Sequence, residues 1–426
     1  MELKAYGESE LKALYEEVNR EFEDLKAKGL KLDISRGKPS KEQLQLSMDI
    51  FNVLTPESDM ISEDGFDARN YGCLTGVQDG KRLMADLMDV KPENVIVFGG
   101  SSLNIMYDTV AKCWIHGVMG NTPWCKLPKV KFLCPVPGYD RHFSVTEAFG
   151  IEMINVPILE DGPDMDIVTE YVEKDPEVKG IWCVPKYGNP AGVVYSDEVV
   201  RRFAALRPAA PDFRIFWDNA YSVHHLDVDH PCEILNILEE AEKAGNPDIA
   251  YMFGSFSKIT FPSSSVSGLA TSEANIKDIT SAMTFQTIGH NKVNQLMHAR
   301  YFPNKEAIMN HMRKHAAIMK PKFDMVEKVL TEKLGGLGAG NWSHPMGGYF
   351  VSFNTIPGCA KRVAALMKEA GVTMTGAGAS FPYHKDPEDS NIRIAPSFAT
   401  TEELEVAIGI FALVVKKATI EKLLEK

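Results

Sequence analysis

Lys258 is the first residue of this sequence whose type and position could carry chemistry. It ends the segment Gly-Ser-Phe-Ser-Lys at positions 254–258, directly after the apolar run Ile249–Phe253. Such a run predicts a buried strand, and a lysine just beyond its end can enter a cleft. A desolvated lysine amine can lose its proton near neutral pH and attack a carbonyl to form an imine. Most lysines are solvated surface charges, so Lys258 is informative only together with three other segments.

The first of these segments predicts a strand, a glycine turn and the start of a helix. Val95–Phe98 is followed by Gly-Gly-Ser-Ser at positions 99–102, which places Ser101 and Ser102 at a helix N-terminus. Glycines let the backbone approach an anion, and the free N–H groups of a helix N-terminus bind phosphate. A glycine-serine turn alone is more often only a turn.

The other two segments place polar side chains at the ends of apolar strands. Asn189 lies in an Asn-Pro-x-Gly turn, which by itself indicates a tight turn but could also present an amide to a ligand. Asp218 ends the run Ile215–Trp217, where a desolvated carboxylate needs a cation to offset its cost. A protonated ring nitrogen is one such cation, and Tyr221 can aim a phenol at the same place. An acidic loop or helix cap explains Asp218 equally well.

The composition restricts the class of protein. The 426 residues carry a formal net charge of −12, which argues against nucleic acid or an anionic membrane as partner. No apolar stretch approaches the about 20 residues that span a bilayer. Seven cysteines without a Cys-x-x-Cys pair, and eleven histidines without ligand spacing, predict free thiols in a cytoplasmic protein and no metal site.

Short apolar strands alternate with helical patterns over the middle of the chain, which predicts a mostly parallel sheet flanked by helices. Helices are predicted near 78–88, 102–115, 140–148, 164–174, 197–206 and 232–244. Strands are predicted at Val95–Phe98, Val130–Cys134, Glu152–Val156, Gly180–Val184, Arg214–Trp217, Ile249–Phe253 and Gly268–Ala270.

The pattern changes near residue 305. A long helix at 304–334, a strand at 348–353, a helix at 359–370, a strand at 391–395 and a final helix behind the Thr400–Glu403 capping box are predicted. We therefore predict a large domain at 55–305 and a smaller α+β domain at 306–426. The N-terminal helix and arm, residues 1–54, are expected to join the smaller domain.

The four segments together resemble the class I aminotransferases, which are pyridoxal-phosphate enzymes of fold type I. The likeness is greatest to an aspartate aminotransferase subgroup with a Ser-Lys-Ile/Val-Thr-Phe lysine motif, here at 257–261. The arm at 32–39, Leu-Asp-Ile-Ser-Arg-Gly-Lys-Pro, and the segment 134–141, Cys-Pro-Val-Pro-Gly-Tyr-Asp-Arg, also fit that subgroup. The resemblance extends from about residue 30 to the C-terminus.

The resemblance implies roles that the residues alone do not give. Lys258 would hold pyridoxal 5'-phosphate covalently, and Asp218 would pair with the pyridine nitrogen, which keeps the ring able to accept electrons. The other cofactor contacts implied are Asn189 and Tyr221 at the phenolic oxygen, Tyr139 on the ring face, and Ser101, Ser102, Ser255 and Ser257 at the phosphate.

The resemblance also implies substrate and subunit contacts. Arg393, in Asn-Ile-Arg-Ile-Ala at 391–395, would clamp the substrate α-carboxylate with two parallel hydrogen bonds, with Asn189 beside it. Gly37 matches the glycine that lies over the substrate. Tyr71 matches a tyrosine that reaches the cofactor phosphate of a neighbouring subunit, which implies a homodimer with shared active sites.

One position departs from the family pattern. Many relatives carry an arginine eight residues after the lysine, paired with the phosphate, whereas this chain has Val266. We expect hydroxyls, backbone amides and Tyr71 to hold the phosphate instead.

The predicted activity is a ping-pong transfer of an amino group from aspartate to 2-oxoglutarate. Arg36, Arg141, His290 and Lys292 are candidates for the cation that a dicarboxylic substrate requires at its side-chain end. The alternatives are an aromatic or broad-specificity aminotransferase, a C–S lyase, or a non-catalytic ligand-sensing module. The last needs a DNA-binding domain, for which the acidic residues before position 30 are too few.

Overall fold

Apolar segments between positions 95 and 270 form one eight-stranded sheet in the computed structural model, which describes residues 2–425. The strands of the chain are β1 (Leu32–Asp33), β2 (Val95–Val97), β3 (Lys131–Val136), β4 (Glu152–Leu159), β5 (Gly162–Pro163), β6 (Val178–Cys183), β7 (Arg214–Asp218), β8 (Ala250–Ser255), β9 (Ser267–Ala270), β10 (Gly340–Trp342), β11 (Val351–Thr355), β12 (Val372–Thr373) and β13 (Asn391–Ile394).

Helices cover both faces of this sheet and build the C-terminal part of the chain. They are α1 (Glu8–Ala27), α2 (Lys41–Gln45), α3 (Gln78–Met88), α4 (Ser102–His116), α5 (Asp140–Ala148), α6 (Met165–Lys174), α7 (Asp197–Ala205), α8 (Ile237–Lys243), α9 (Glu273–Met283), α10 (Lys292–Tyr301), α11 (Lys305–Leu334), α12 (Ala360–Glu369) and α13 (Thr401–Leu424).

The large sheet has the order β2-β9-β8-β7-β6-β3-β4-β5. The five strands from β8 to β4 are mutually parallel, whereas β9 is antiparallel to both β2 and β8, and β5 is antiparallel to β4. The predicted mostly parallel sheet is therefore confirmed. Every residue of β6, β7 and β8 is buried, as expected for parallel strands with helices on both faces.

Alternate residues of the central strands enter two separate cores. Leu133, Ile181 and Ile215 belong to the core on one face, and their sequence neighbours, including Trp182 and Phe216, belong to the core on the other. This follows from the two-residue period of a strand. Both faces are sealed, so the carboxyl ends of the parallel strands are the edge where polar side chains can gather.

A second, smaller region contains the sheet β10-β11-β13 and the two-stranded pair β1–β12. The helices α1, α11 and α13 share one hydrophobic core with these strands. The capping box predicted at Thr400 and Glu403 is present at the start of α13. The domain boundaries at 54 and 305 stay a prediction.

Two predicted elements were wrong in their bounds. The helix predicted at 232–244 covers only α8, because the Asn236 side chain accepts the Leu238 N–H at 2.9 Å and caps the helix there. The strand predicted at 348–353 begins at Val351, because Gly347 and Gly348 pack against the Tyr187 ring and backbone. The helices α9 and α10 had no predicted counterpart.

Among residues 2–425, none of the helices combines the length and apolar character that crossing a lipid bilayer requires.

The pairing of β1 with β12 depends on Gly371, which follows α12 with φ +80°. The Leu32 N–H donates to the Gly371 carbonyl at 3.0 Å, and a Cβ on Gly371 would lie 2.0 Å from the Leu30 carbonyl oxygen. Gly245 follows α8 in the same way with φ +70°, but a Cβ there meets nothing within 4 Å.

We predict that Gly371→Ala lowers the free energy of unfolding by clearly more than Gly245→Ala. Both substitutions carry the left-handed backbone cost of about 1–2 kcal/mol, but only Gly371→Ala also displaces the arm. Urea unfolding gives the comparison, and limited proteolysis should show cleavage near residue 30 in Gly371→Ala alone. Equal unfolding midpoints would contradict the prediction.

Candidate active site

Lys258 lies in the turn that follows β8, at the carboxyl edge of the large sheet. The turn is closed by the N–H groups of Ile259 and Thr260, which donate to the Phe256 carbonyl at 2.9 and 2.8 Å. Asp218 ends the neighbouring parallel strand β7, in register with Phe253 of β8. Two adjacent parallel strands thus deliver an amine and a carboxylate to the same edge.

The surroundings of Lys258 favour its neutral form. Burial lowers the pKa of the Lys258 amine below the ordinary 10.5, and the Asp218 carboxylate partly opposes that shift. The side chain is still partly accessible from the cleft, and its Nζ lies 4.9 Å from the centroid of the Tyr221 ring. Lys258 is therefore a reachable amine with a depressed pKa, as nucleophilic chemistry requires.

Asp218 has one partnered and one free carboxylate oxygen. Its Oδ2 accepts a hydrogen bond from His142 Nε2 at 2.9 Å, and the His142 ring stacks on Trp182 at a centroid distance of 4.5 Å. Its Oδ1 is buried and has no hydrogen-bond partner within the described chain. A buried carboxylate oxygen needs a donor, and a protonated heterocyclic nitrogen supplies one.

Sequence reasoning missed His142. The signal was present, because His142 lies three residues after Tyr139 and so on the same side of the first turn of α5. The two rings pack edge to face at 4.9 Å. His142 holds the orientation of Asp218, so it is a positioning residue of the site.

The turn at 99–102 and the lysine segment form a joint anion cradle. Ser257 Oγ donates to the Gly100 carbonyl at 2.8 Å, which ties the two segments together. Ser101 precedes α4, but its side chain accepts no hydrogen bond from the first N–H groups of this 15-residue helix. These N–H groups, together with the hydroxyls of Ser102 and Ser255, form the kind of site that binds a phosphate.

Arg393 and Asn189 come together from distant parts of the chain. Arg393 Nη1 donates to Asn189 Oδ1 at 3.2 Å and to Asp140 Oδ1 at 2.8 Å, and Nη2 donates to Thr375 Oγ1 at 3.4 Å. The guanidinium lies over the Phe350 ring at 4.9 Å, and its Nε, within residues 2–425, has no partner. The Asp140 and Thr375 contacts were not predicted.

Two tyrosines and one glycine complete the group around Lys258. Burial raises the pKa of Tyr139 to about 12 and the pKa of Tyr221 well above its usual value, so both phenols keep their proton at neutral pH. A Cβ on Gly37 would lie 2.2 Å from Phe350 Cζ, which places the arm directly against the ring beneath Arg393.

Four positions singled out in the sequence lie away from this group. Tyr71 is 80% exposed on the surface of the chain. Arg36 and Arg141 are also exposed. Val266 is buried in the core of the large sheet, so it contributes nothing to the cradle.

The comparisons with known proteins agree with this geometry. A mostly parallel sheet with a lysine and an aspartate at its carboxyl edge is the architecture of a fold type I aminotransferase. The chain belongs to the aspartate amino-transferase family, whose profile matches residues 6–426.

Individual relatives are similar over nearly their full length. An aspartate aminotransferase from Corynebacterium glutamicum is 47% identical over 420 residues, which cover 98% of this chain and 96% of that protein. The crystal structure of an aspartate transaminase from the same species superposes with a TM-score of 0.96 at 47% identity and covers 99% of both chains. The chain is therefore an aminotransferase.

More distant structures share the fold. The α-aminoadipate aminotransferase LysN from Thermus thermophilus has a TM-score of 0.72 at 17% identity, covers 94% of this chain and 95% of its own, and was solved with a phosphopyridoxyl-leucine compound. Aminotransferases of this fold family use pyridoxal 5'-phosphate, and the free Asp218 oxygen and the uncapped start of α4 fit its two ends.

We predict that the Lys258 amine reacts at lower pH than an exposed lysine. In the cofactor-free chain, the rate of reductive methylation by formaldehyde should reach half its maximum at lower pH for Lys258 than for the exposed Lys361, because burial disfavours the charged ammonium. Peptide mass spectrometry across a pH series gives both midpoints.

Asp218→Asn is the matched variant for this measurement. Without the carboxylate that raises the pKa of Lys258, the midpoint should fall further. A Lys258 midpoint equal to that of Lys361, or unmoved in Asp218→Asn, would show that the amine is not desolvated beside Asp218.

Proposed function

We propose that this protein transfers an amino group from L-aspartate to 2-oxoglutarate by a ping-pong mechanism. The observation that carries the proposal is that Lys258, Asp218 and Arg393 all lie close to the buried Tyr221: the lysine amine lies over its ring, and the charges of the other two act on its phenol. The full-length likeness to a protein named aspartate aminotransferase supports the amino donor. The choice of 2-oxoglutarate as acceptor is part of the proposal.

The proposed cofactor is pyridoxal 5'-phosphate, which supplies an electron-accepting ring when bound. Lys258 would hold it covalently, and Asp218 Oδ1, which has no partner among residues 2–425, would accept a hydrogen bond from the protonated ring nitrogen. Asn189, whose Oδ1 is engaged by Arg393, retains its amide N–H groups for donation to the phenolic oxygen, and Tyr221 donates there as well. Tyr139 would cover the ring face, and Ser101, Ser102 and Ser255 would bind the phosphate, while Ser257 ties the two phosphate-binding segments together through the Gly100 carbonyl.

The remaining residues orient the substrate and move the proton. Arg393 binds the α-carboxylate, and Gly37 lets the arm lie close over the bound amino acid. Once the substrate amine has replaced Lys258 on the cofactor, the freed Lys258 Nζ would take the proton from the substrate Cα, which a lysine of depressed pKa can do near neutral pH. The hydrogen bond from His142 Nε2 to Asp218 Oδ2 keeps the Asp218 carboxylate in its orientation.

The subunit arrangement is proposed as a homodimer with shared active sites. Tyr71 is 80% exposed, and Phe285 and Ile288 of a nearby surface segment are 82% and 63% exposed. Exposed aromatic and aliphatic side chains of this size are typical of a covered interface. Gly289 packs on the Gly72 carbonyl, which places this segment beside Tyr71. Lys292 is buried and its Nζ donates to the His290 carbonyl at 3.3 Å, so it is held within its own chain.

We also propose a cytoplasmic location, which the seven free thiols favour.

The phosphate contacts proposed here lack the arginine that many relatives carry at the position of Val266. Because Val266 is buried in the core, hydroxyls, backbone amides and Tyr71 would hold the phosphate instead.

The substrate proposal predicts a preference among amino donors. With 2-oxoglutarate as acceptor, kcat/KM for aspartate should exceed that for alanine or phenylalanine by about tenfold to a hundredfold. This factor corresponds to one additional charge-assisted hydrogen bond, formed by the side-chain carboxylate of aspartate. A coupled assay of oxo-acid release measures it, with Lys258→Ala as the inactive control. A preference for phenylalanine, or release of sulfide or pyruvate from cysteine, would move the assignment to one of the other reactions of this fold.

The shared-site proposal predicts complementation between two defective chains. Lys258→Ala and Tyr71→Ala chains are refolded together, and each mixed dimer then has one intact site made of Lys258 from one chain and Tyr71 from the other. About a quarter of all sites should regain activity, because half of the dimers are mixed. If Tyr71 serves its own chain, the mixture stays as inactive as the separate variants.

A further inference from the structure

The backbone behind Lys258 is held by a buried hydrogen-bond network that the proposed chemistry does not use. The Ile259 carbonyl accepts from His315 Nε2 at 3.1 Å, and Ser47 Oγ and His311 Nε2 lie 3.2 and 3.0 Å from the same oxygen. Burial lowers the pKa of both imidazoles, that of His315 to about 3, so both are neutral at working pH. Each then has a single N–H, and only a ring with that proton on Nε2 can donate to Ile259. His311 Nε2 lies 3.2 Å from both His315 Nε2 and Ser47 Oγ and can instead accept a hydrogen bond.

Gln43 fixes the tautomer of His315. Its Oε1 accepts the Ser40 N–H at 3.0 Å in the capping box of α2, which assigns the amide orientation. Its Nε2 therefore points to His315 Nδ1 at 3.1 Å and must donate there. His315 Nδ1 becomes an acceptor, and the proton resides on Nε2, facing Ile259.

The second hydrogen of the same amide reaches Lys258 through a tyrosine. Gln43 Nε2 donates to Tyr349 Oη at 2.9 Å, and Tyr349 Oη donates to the Lys258 carbonyl at 3.4 Å. Each of the two amide hydrogens of Gln43 thus has one acceptor, and each path ends on a peptide carbonyl of the lysine turn.

Water cannot replace these bonds. The side chains of Gln43 and Ser47 are fully buried, and those of Tyr349, His315 and His311 are buried as well. Removing one partner leaves an unsatisfied buried group. The network also joins α2 of the arm and α11 to the turn that carries Lys258.

We propose that Gln43 is a positioning residue for Lys258. By fixing the His315 tautomer and the Tyr349 hydroxyl, it holds the carbonyls of residues 258 and 259 and so directs the lysine side chain toward Asp218. This inference rests on the proposed function only in assigning Lys258 its role in transamination; the hold on the lysine turn stands on the contacts alone.

The test compares Gln43→Leu, which removes all three bonds, with Gln43→Glu, which keeps the cap acceptor but replaces the donating amide. Both should lower kcat by about tenfold or more with KM changed by less than about twofold, because misplacing a catalytic group acts on the chemical step. The pH at which the visible absorption of the cofactor-loaded enzyme changes should shift by about half a unit. Gln45→Leu, an exposed glutamine of the same helix, is the control and should leave both values unchanged.

The formaldehyde-labelling midpoint of Lys258 in the cofactor-free full chain provides a second reading. It should rise toward that of Lys361 in both Gln43 variants, because a loosened turn lets water reach the amine. If the wild-type chain shows no transamination, the proposed function fails while this midpoint still tests the inference. Variants that lose stability but keep the wild-type kcat, absorption midpoint and labelling midpoint would make the network a structural brace only and overturn the proposal.

Discussion

The attraction between the Lys258 amine and the Asp218 carboxylate is the interaction on which the site depends. Burial disfavours the charged form of the Lys258 amine, and the Asp218 carboxylate offsets part of that cost. The attraction to Asp218 raises the pKa of Lys258, but burial lowers it by more, so the pKa stays below its ordinary value. A balance of this kind leaves an amine that is neither locked as a cation nor isolated, which suits an amine that must bind and release a carbonyl.

The rest of the structure maintains this balance. Parallel strands β7 and β8 set the spacing, because their register is fixed by sheet hydrogen bonds and by cores on both faces. His142, stacked on Trp182, stops Asp218 from rotating toward the lysine. Arg393, the proposed clamp for the substrate carboxylate, is held in place by Asp140 and Asn189.

Much of this could be predicted from the sequence. The strands β6, β7 and β8 are apolar runs buried on both faces, so their presence and parallel pairing follow from composition and spacing. The positions of Lys258, Asp218 and Asn189 follow because each comes directly after such a run. The bounds of α8 were missed because a cap residue, Asn236, overrode the helical pattern around it. His142, Asp140 and the Gln43 network were beyond reach, since pairings between residues tens to hundreds of positions apart depend on packing that no local pattern encodes. In the proposed homodimer, the surroundings of Tyr71 would belong to a second chain.

The pairing of β1 with β12 also sets an order in which the molecule can assemble. The eight strands of the large sheet lie in one stretch of sequence and can come together as soon as residue 270 has left the ribosome. The arm at residues 32–33 has no strand to join until residues 372–373 have been made. Gln43 likewise has no partners until His315 on α11 and Tyr349 have been made. The lysine turn acquires its buried support only when synthesis is nearly finished, so an unfinished chain carries the nucleophile without the means of aiming it.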